Sequence, residues 1–559
     1  MNLSLSVRLL IVFFTLLLIL ALGSRLRNIC KKDANMKIRA LSLPLIIFFF
    51  VLVFLPVGSQ LAGIEDKTEL SGVFTEHERT AFSKTSYLNG SYQTDFQNWF
   101  GLNFNFHHSA YKLYNQFRYD VFRQSNSIVI SDSGIMIEQS YIDEYFRIRE
   151  PDSDEYLDML TDTIKEVKKE LDLLGIPLLV LITPNQVEFI EEALPERYNW
   201  AVREDKKNLS RNIDRFLPLL DEKEIPYVNG TQILRDTEIA TPLFPKTGAH
   251  WTIPAAFECM RVLVEEMDKS VPMRQVDSFS YETSHQPLYY NDQDLFRLMN
   301  VFSAEEDSTY YEVDYTVNDE NYFTLPPKIL YQGGSYCHQI RDLLYRQSMA
   351  SFNQLFYAQW YIDAYPSGGP LDDEFNGIDL PVVLATTDFV ILEVNEEFIY
   401  KMGMGFPQHL LKTLQKNVIE RRYEDRYIAE RKEPFRSIIG FIDAETGWAE
   451  KTAIVRLSNP HFREHGAEIT MAFPQEVLDL VQSGQALTIY INNRPAMTIP
   501  FPDDTNQISI LIPAEVFPEG DSGIFDIAVS SPVASEEISF HPDRSVGMQL
   551  TYIGPPREP

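Results

Sequence analysis

The segment Pro177-Leu-Leu-Val-Leu-Ile182 holds no polar residue. A strand with one face in water alternates apolar and polar side chains, whereas a strand covered on both faces reads as a continuous apolar run. Just before it, Leu157, Leu160, Ile164, Val167, Leu171 and Leu174 recur at three- and four-residue spacing. That stripe predicts an amphipathic helix, and Gly175 stops it. The pattern repeats along the chain. A helix is predicted over 205–222 (Leu209, Ile213, Phe216, Leu220), a short strand over Ile225–Val228, and a helix over Pro254–Met267. Strands at Lys328–Tyr331 and Asp388–Glu393 and a helix at His409–Val418 follow. Such alternation implies an α/β domain, a parallel sheet with helices on both faces.

The texture differs at both ends. Residues 75–125 carry Phe96, Trp99, Phe100, Phe104, Tyr111, Tyr114 and Phe117, and their spacing suits a helical hairpin. Ile128-Val-Ile and Ser131-Asp-Ser-Gly read as a strand and a turn. Beyond about residue 440 short strands and turns take over: Leu487–Ile491, Met497–Phe501, Ile508–Ile512, Ile524–Val529 and Met548–Ile553. Asn492-Asn493 joins two of them as a hairpin. This spacing predicts a β-sandwich over 441–559. The α/β domain then occupies 64–440.

The first 63 residues set the expected compartment. Leu9–Gly23 is apolar but short, and Leu41–Leu61 is long enough to span a bilayer core of about 20 helical residues. Arg25, Arg27, Lys31, Lys32, Lys37 and Arg39 lie between them, which predicts a cytoplasmic linker and an extracytoplasmic body. Met36 before Lys-Ile-Arg reads as a second start for the same signal-anchor, so the true start is Met1 or Met36 and the spans number one or two. A buried core helix is the bland alternative for the second run. Val57-Gly-Ser-Gln-Leu-Ala-Gly is a weak cleavage pattern, so an uncleaved anchor over 1–63 is expected. The chain carries 80 acidic against 49 basic residues, net charge -31, which argues against a nucleic-acid partner. Cys30, Cys259 and Cys337 are too few for a zinc cluster, and no metal is expected. A Cys259–Cys337 bridge is conceivable outside the cytoplasm.

The chemistry concentrates where the strand Lys328–Tyr331 runs into Gln332-Gly333-Gly334-Ser335-Tyr336-Cys337 and a predicted helix over 338–350. Glycines there are expected to permit a sharp turn that lifts the Ser335 hydroxyl above the sheet edge, with amides at the helix start to receive an oxyanion. A serine needs a base, and His250 in Lys246-Thr-Gly-Ala-His250-Trp251 precedes a helix. Taken alone, Ser335 reads rather as a helix N-cap, and His250 as a structural histidine beside Trp251. Cys337 is a weaker candidate nucleophile.

Taken together, the segments resemble the SGNH-hydrolase-like O-acetyltransferases of exopolysaccharide export, typified by the alginate acetylation proteins. Gly134-Ile-Met-Ile-Glu138 with Tyr141-Ile-Asp-Glu-Tyr145 is similar to their Gly-x-Leu-Phe segment. Thr183-Pro-Asn-Gln with Glu191-Glu-Ala-Leu-Pro195 is similar to their Pro-x-Lys and Leu-Pro segment. Thr247-Gly-Ala-His250-Trp251 stands where they carry Asp-x-His-Trp, and Gly333-Gly-Ser335-Tyr336 where they carry Gly-Asp-Ser-Phe. Asp388–Glu393 matches the strand after it, and the match covers about 85–425. The β-rich end is similar to an appended carbohydrate-binding module.

The resemblance implies a serine nucleophile, Ser335, with His250 as its base. Gly333, Gly334, Tyr336 and Trp251 then support the motif and the oxyanion. It implies a polysaccharide acceptor and no bound cofactor. Acetyl would come from cytoplasmic acetyl-CoA through a membrane-bound O-acyltransferase. One departure is central: the family's Asp, two residues before the His, is Gly248. An imidazole without that carboxylate loses its orienting partner. Glu393 and Asp388 are candidate substitutes; a bare Ser–His dyad and an inactive site are the other readings. Three functions stay open: O-acetyltransferase, O-acetyl esterase, and an inactive polysaccharide-binding assembly factor.

Overall fold

The computed structural model describes residues 36–557 apart from 73–80, 196–197, 199–208, 286–291, 304–308, 318–323, 358, 362–367, 372–374, 422, 425, 430–437, 444, 483, 502–505, 519–522 and 537–543. The first apolar run lies outside these residues. The chain divides into two compact units, one of residues 1–138 with 293–307 and the other of 139–292 with 308–559.

In the first unit, Ser91–Asn103 and His107–Phe122 form the expected helical pair. Ile128–Ile130 pairs antiparallel with Met136–Glu138 around the Ser131–Gly134 turn. The second apolar run lies in the helix Met36–Ala62, where the side chains of 36–45, 47, 48 and 52 are outside the described residues. Among the described residues no helix is long and apolar enough to cross a membrane.

The second unit holds a seven-stranded sheet. Its strands are β1 (Leu178–Thr183), β2 (Tyr227–Asn229), β3 (Lys328–Gly333), β4 (Ser351–Phe356), β5 (Gln359–Tyr361), β6 (Gly368–Pro370) and β7 (Phe389–Asn395). Their order is β6-β5-β4-β3-β7-β1-β2. The five strands β4-β3-β7-β1-β2 run parallel, and the β4–β5–β6 edge is antiparallel. All residues of β1 and β7 are buried, as the continuous apolar runs require. Leu178, Val180, Ile182, Val390, Leu392 and Val394 face helices α1 (Asp154–Asp172), α2 (Asn212–Glu222) and α5 (Phe406–Lys416) in one core. The alternate residues Leu179, Leu181, Ile329 and Ile391 are equally buried, so the other face is covered too. There α3 (Ile253–Asp268) and α4 (Cys337–Arg346) pack on each other. Each such aliphatic side chain contributes roughly 1.5–3 kcal/mol on burial. Helix α1 is capped by the Ser153 hydroxyl, and Gly175 takes φ 64 just after it.

The C-terminal strands depart from a sandwich: they form one nine-stranded, antiparallel, barrel-like sheet. Its strands are β8 (Tyr427–Ile428), β9 (Ile438–Asp443), β10 (Trp448–Ser458), β11 (Ala467–Ala472), β12 (Ala486–Ile491), β13 (Arg494–Pro500), β14 (Gln507–Ile512), β15 (Ile524–Ser530) and β16 (Met548–Gly554). The reason is the long β10, which pairs with β16 at Trp448–Ala449 and with β15 over Thr452–Ser458. One strand thus serves both halves, and bulges at Gly440 in β9, Ala496 in β13 and Thr551 in β16 curl the sheet around a single core. Gly440 in β9 takes φ 78 at such a bulge, where a Cβ would strike the Thr452 carbonyl oxygen. The expected boundary at 440/441 falls inside β9, and the sheet begins earlier, at Tyr427.

Candidate active site

Parallel strands place their C-terminal ends on one edge, and ligands of open α/β sheets bind there. The edge of β1, β3 and β7 ends in Thr183, Gly333 and Asn395. Ser335 follows two residues after β3, at the entry to α4. His250 lies on the loop before α3. The structure brings the two together: His250 Nε2 is 2.6 Å from Ser335 Oγ. Among the described residues, 85 positions of sequence separate this pair.

The histidine loop is held at nearly every residue. Thr247 Oγ1 donates to the Asp292 carbonyl (2.8 Å), and Gln186 Nε2 donates to the Gly248 carbonyl (3.2 Å). Tyr336 donates its hydroxyl to the Ala249 carbonyl (2.5 Å), and Gln339 Nε2 donates to the Trp251 carbonyl (2.8 Å). Tyr336 also packs its ring against His250 (4.7 Å between centroids) and edge-on to Trp251 (5.4 Å). Tyr336 and Gln339 sit on the serine's own turn and helix, so nucleophile and base are fixed by one clamp. Such a clamp keeps the reacting atoms within hydrogen-bond reach without rearrangement.

The two glycines act differently from the expectation. Neither Gly333 nor Gly334 takes a positive φ. They are there for room. A Cβ on Gly333 would lie 2.7 Å from Glu393 Cβ, and one on Gly334 would lie 2.8 Å from the Tyr357 hydroxyl. The turn is therefore packed from beneath by Glu393 of β7 and from the side by Tyr357, just past β4.

Glu393 is buried and takes two hydrogen bonds, from Thr183 Oγ1 (2.6 Å) and from the Gly334 amide (2.6 Å). Burial pushes its carboxyl up to about 7, against these two bonds and the attraction of His250, which lower it. Of the two candidate orienting acids, Glu393 thus stands at the site. Asp388 does not, and that expectation is corrected. It precedes β7 at the opposite sheet edge, about 17 Å away at ~3.3 Å per residue. There it accepts from Arg456 Nη1 (2.5 Å), the Tyr423 hydroxyl (2.5 Å) and the Lys328 amide (2.9 Å). Asp292, tied by its carbonyl to Thr247, is a second buried acid whose backbone borders the histidine loop.

Cys337 is buried, and burial holds its thiol well above the usual range, so it is no competing nucleophile. Cys259 and Cys337 are both free thiols, which removes the conceivable bridge. The described residues that offer a metal-ligand cluster are His461, Glu464 and His465, exposed on the C-terminal part of the chain. The cleft beside Ser335 is small, with a cavity volume of about 20 Å³, and Phe398, Lys401, Met402 and Met404 are among the residues that line it. Tyr357, Gln186 and Gln339 were not visible as site residues in the sequence. Tyr357 in particular follows a strand, Ser351–Phe356, that the predicted helix to residue 350 left unassigned.

Comparison with known proteins gives a family match and several distant likenesses. Residues 141–321 match the family model described as an SGNH hydrolase-like domain, acetyltransferase AlgX. That stretch contains His250 and ends before Ser335. The O-acetyltransferase domain of Pseudomonas putida AlgJ is 15% identical, with 51% of this chain and 99% of that chain covered and a TM-score of 0.35. Pseudomonas aeruginosa AlgX is 13% identical over 80% of this chain and 99% of that one, at a TM-score of 0.34. Bacillus cereus PatB1, solved with a sulfonyl adduct, is 9% identical over 48% of this chain and 96% of that one, at 0.31. No curated protein sequence matches the chain.

Proposed function

We propose that this chain, whose residues 141–321 carry an SGNH hydrolase-like acetyltransferase domain, is an O-acetyltransferase that works through Ser335 and His250. The observation that carries the reading is the 2.6 Å approach of His250 Nε2 to Ser335 Oγ at the C-terminal edge of a parallel sheet. With Nε2 unprotonated, the hydroxyl donates to it. Ser335 Oγ then attacks the carbonyl carbon of an acetyl ester, and its proton passes to Nε2. The carbonyl electron pair moves to oxygen and returns as the donor alkoxide leaves, taking the proton from the imidazolium. A sugar hydroxyl repeats the sequence on the acetyl-serine, with His250 again as base. Water in place of the sugar makes the same site an esterase.

Above about pH 7, where its raised carboxyl ionises, Glu393 supplies the negative charge that the Asp-to-Gly248 departure removes. Its attraction to His250 favours the imidazolium formed during each proton transfer. The same proposal extends to the wider setting. The apolar run 41–61 anchors the chain, the body faces away from the cytoplasm, and a membrane-bound O-acyltransferase delivers acetyl drawn from acetyl-CoA. The acceptor is a polysaccharide, which the barrel-like C-terminal sheet helps to hold.

The test is turnover of a chromogenic acetyl ester, with and without a glycan acceptor. Ser335→Ala and His250→Ala should each abolish turnover, and the double variant should lose no more, since nucleophile and base act as a unit. Acceptor-dependent acetylation distinguishes transferase from esterase. Unchanged turnover in Ser335→Ala would reduce Ser335 to a helix cap.

A further inference from the structure

We infer that Tyr357 is a catalytic residue of this site, its phenol donating to the oxyanion formed when Ser335 is acylated. The inference rests on the acyl-transfer reading of Ser335. Three independent features place the phenol. Its oxygen accepts the backbone amide of Ser335 at 3.3 Å, and a nucleophilic serine's own amide is one of the donors that a serine-protease oxyanion hole uses. It occupies the space that a side chain on Gly334 would fill. And the residue that carries it, the first beyond β4, sits at φ 48, in the left-handed region that a tyrosine adopts only when its surroundings impose it.

The backbone fixes that position. Tyr357 N–H donates to the Gly333 carbonyl at 3.2 Å, so the β3–β4 pairing continues to the serine turn itself. Tyr357 also lines the cleft beside Ser335, together with Phe398 and Met402. Burial pushes the phenol up to about 12, with its hydrogen bonds to Ser335 pulling down, so it keeps its proton through the working pH range.

The chemistry follows. As Ser335 Oγ bonds to the acetyl carbon, the carbonyl electron pair becomes an oxyanion. Ser335 N–H polarises the phenol by donating to its oxygen, and the phenol donates its own proton into a hydrogen bond with the oxyanion. No proton is transferred in that bond, and it is released when the carbonyl re-forms. In this chain the motif position between Gly333 and Ser335 is the small Gly334, and the phenol takes the vacated space.

The test uses the full chain and a chromogenic acetyl ester. Tyr357→Phe keeps the ring and removes the donor. It should lower kcat by about 10²- to 10³-fold, the loss typical of one oxyanion donor, with KM nearly unchanged. The rate at which an organophosphonate labels Ser335 should fall alongside kcat, because that reaction forms the same charged oxygen. Gly334→Ala is the second variant: its methyl displaces the phenol. It should lower kcat in the wild-type chain and add little in Tyr357→Phe, the non-additivity of two changes to one contact. If Tyr357→Phe fails to fold, the kcat loss in Gly334→Ala at constant KM decides. A Tyr357→Phe or Gly334→Ala chain with kcat within about threefold of wild type, while Ser335→Ala is inactive, overturns the role of Tyr357 and leaves the serine reading standing. An active Ser335→Ala overturns the serine reading itself.

Discussion

Replacing Glu393 by Gln separates the charge of this side chain from its shape. The carboxyl is buried, and its titration is raised from an ordinary 4.5 to about 7. Between those two values the folded chain binds a proton that the unfolded chain has released. The group's favourable contribution is therefore complete below about pH 4.5 and is lost as pH rises through about 7. At ~1.4 kcal/mol per pH unit, the interval amounts to about 3 kcal/mol. Gln reproduces the protonated form: its oxygen accepts the Gly334 amide, and its NH₂ group donates to Thr183 Oγ1. Urea unfolding of both chains in detergent should thus give similar stabilities near pH 4.5. Toward pH 8 the variant should gain on the wild type by up to about 3 kcal/mol. The same substitution should lower kcat, because a neutral amide no longer attracts the His250 imidazolium. Parallel pH dependences in the two chains would refute the reasoning, since Glu393 would then hold no burial-raised carboxyl.

Two further expectations concern parts away from the serine. Arg456 is buried between Asp526, which it meets through Nε (2.7 Å) and Nη2 (2.8 Å), and Asp388, and it also donates to the Leu325 carbonyl (2.8 Å). Arg456→Met removes the cation that buried Asp526 pairs with and leaves Asp388 the cation Arg421 at 3.6 Å, and should cost about 3–5 kcal/mol in urea unfolding, against near neutrality for a surface pair. For the proposed anchor, a reporter active only outside the cytoplasm, fused after Gly63, should be active; activity of a cytoplasm-only reporter at that point would contradict the topology.

The parallel sheet was legible because burial on both faces leaves a mark in one strand's own residues. Leu178–Thr183 and Phe389–Asn395 needed no partner to be recognised. The edge strands Gln359–Tyr361 and Gly368–Pro370 carry no such mark and were missed. At the C-terminus single strands were visible, down to the Asn492-Asn493 turn with φ 47 and 61. Whether they close as two sheets or one was not visible, because that depends on β10 pairing with different neighbours along its length. The site divides in the same way. Ser335 and His250 stand in local patterns that a chain reveals by itself. Glu393 was open to either role until the sheet register set it beneath Gly333, and Asp388 was separated from it only by the direction of β7. Tyr357 is one of 28 tyrosines, and nothing in its neighbours distinguishes it; only the β3–β4 pairing brings it to the nucleophile.

The central claim is that Ser335 carries the acetyl group between donor and acceptor. Its most direct test is to mix the full chain with an activated acetyl ester, quench in acid within the first turnover, and map the acetyl group by peptide mass spectrometry. The account predicts one acetyl group on Ser335, absent in Ser335→Ala and discharged faster when a glycan acceptor is added. Acetyl on another residue, or turnover of the ester with Ser335 never modified, would contradict it.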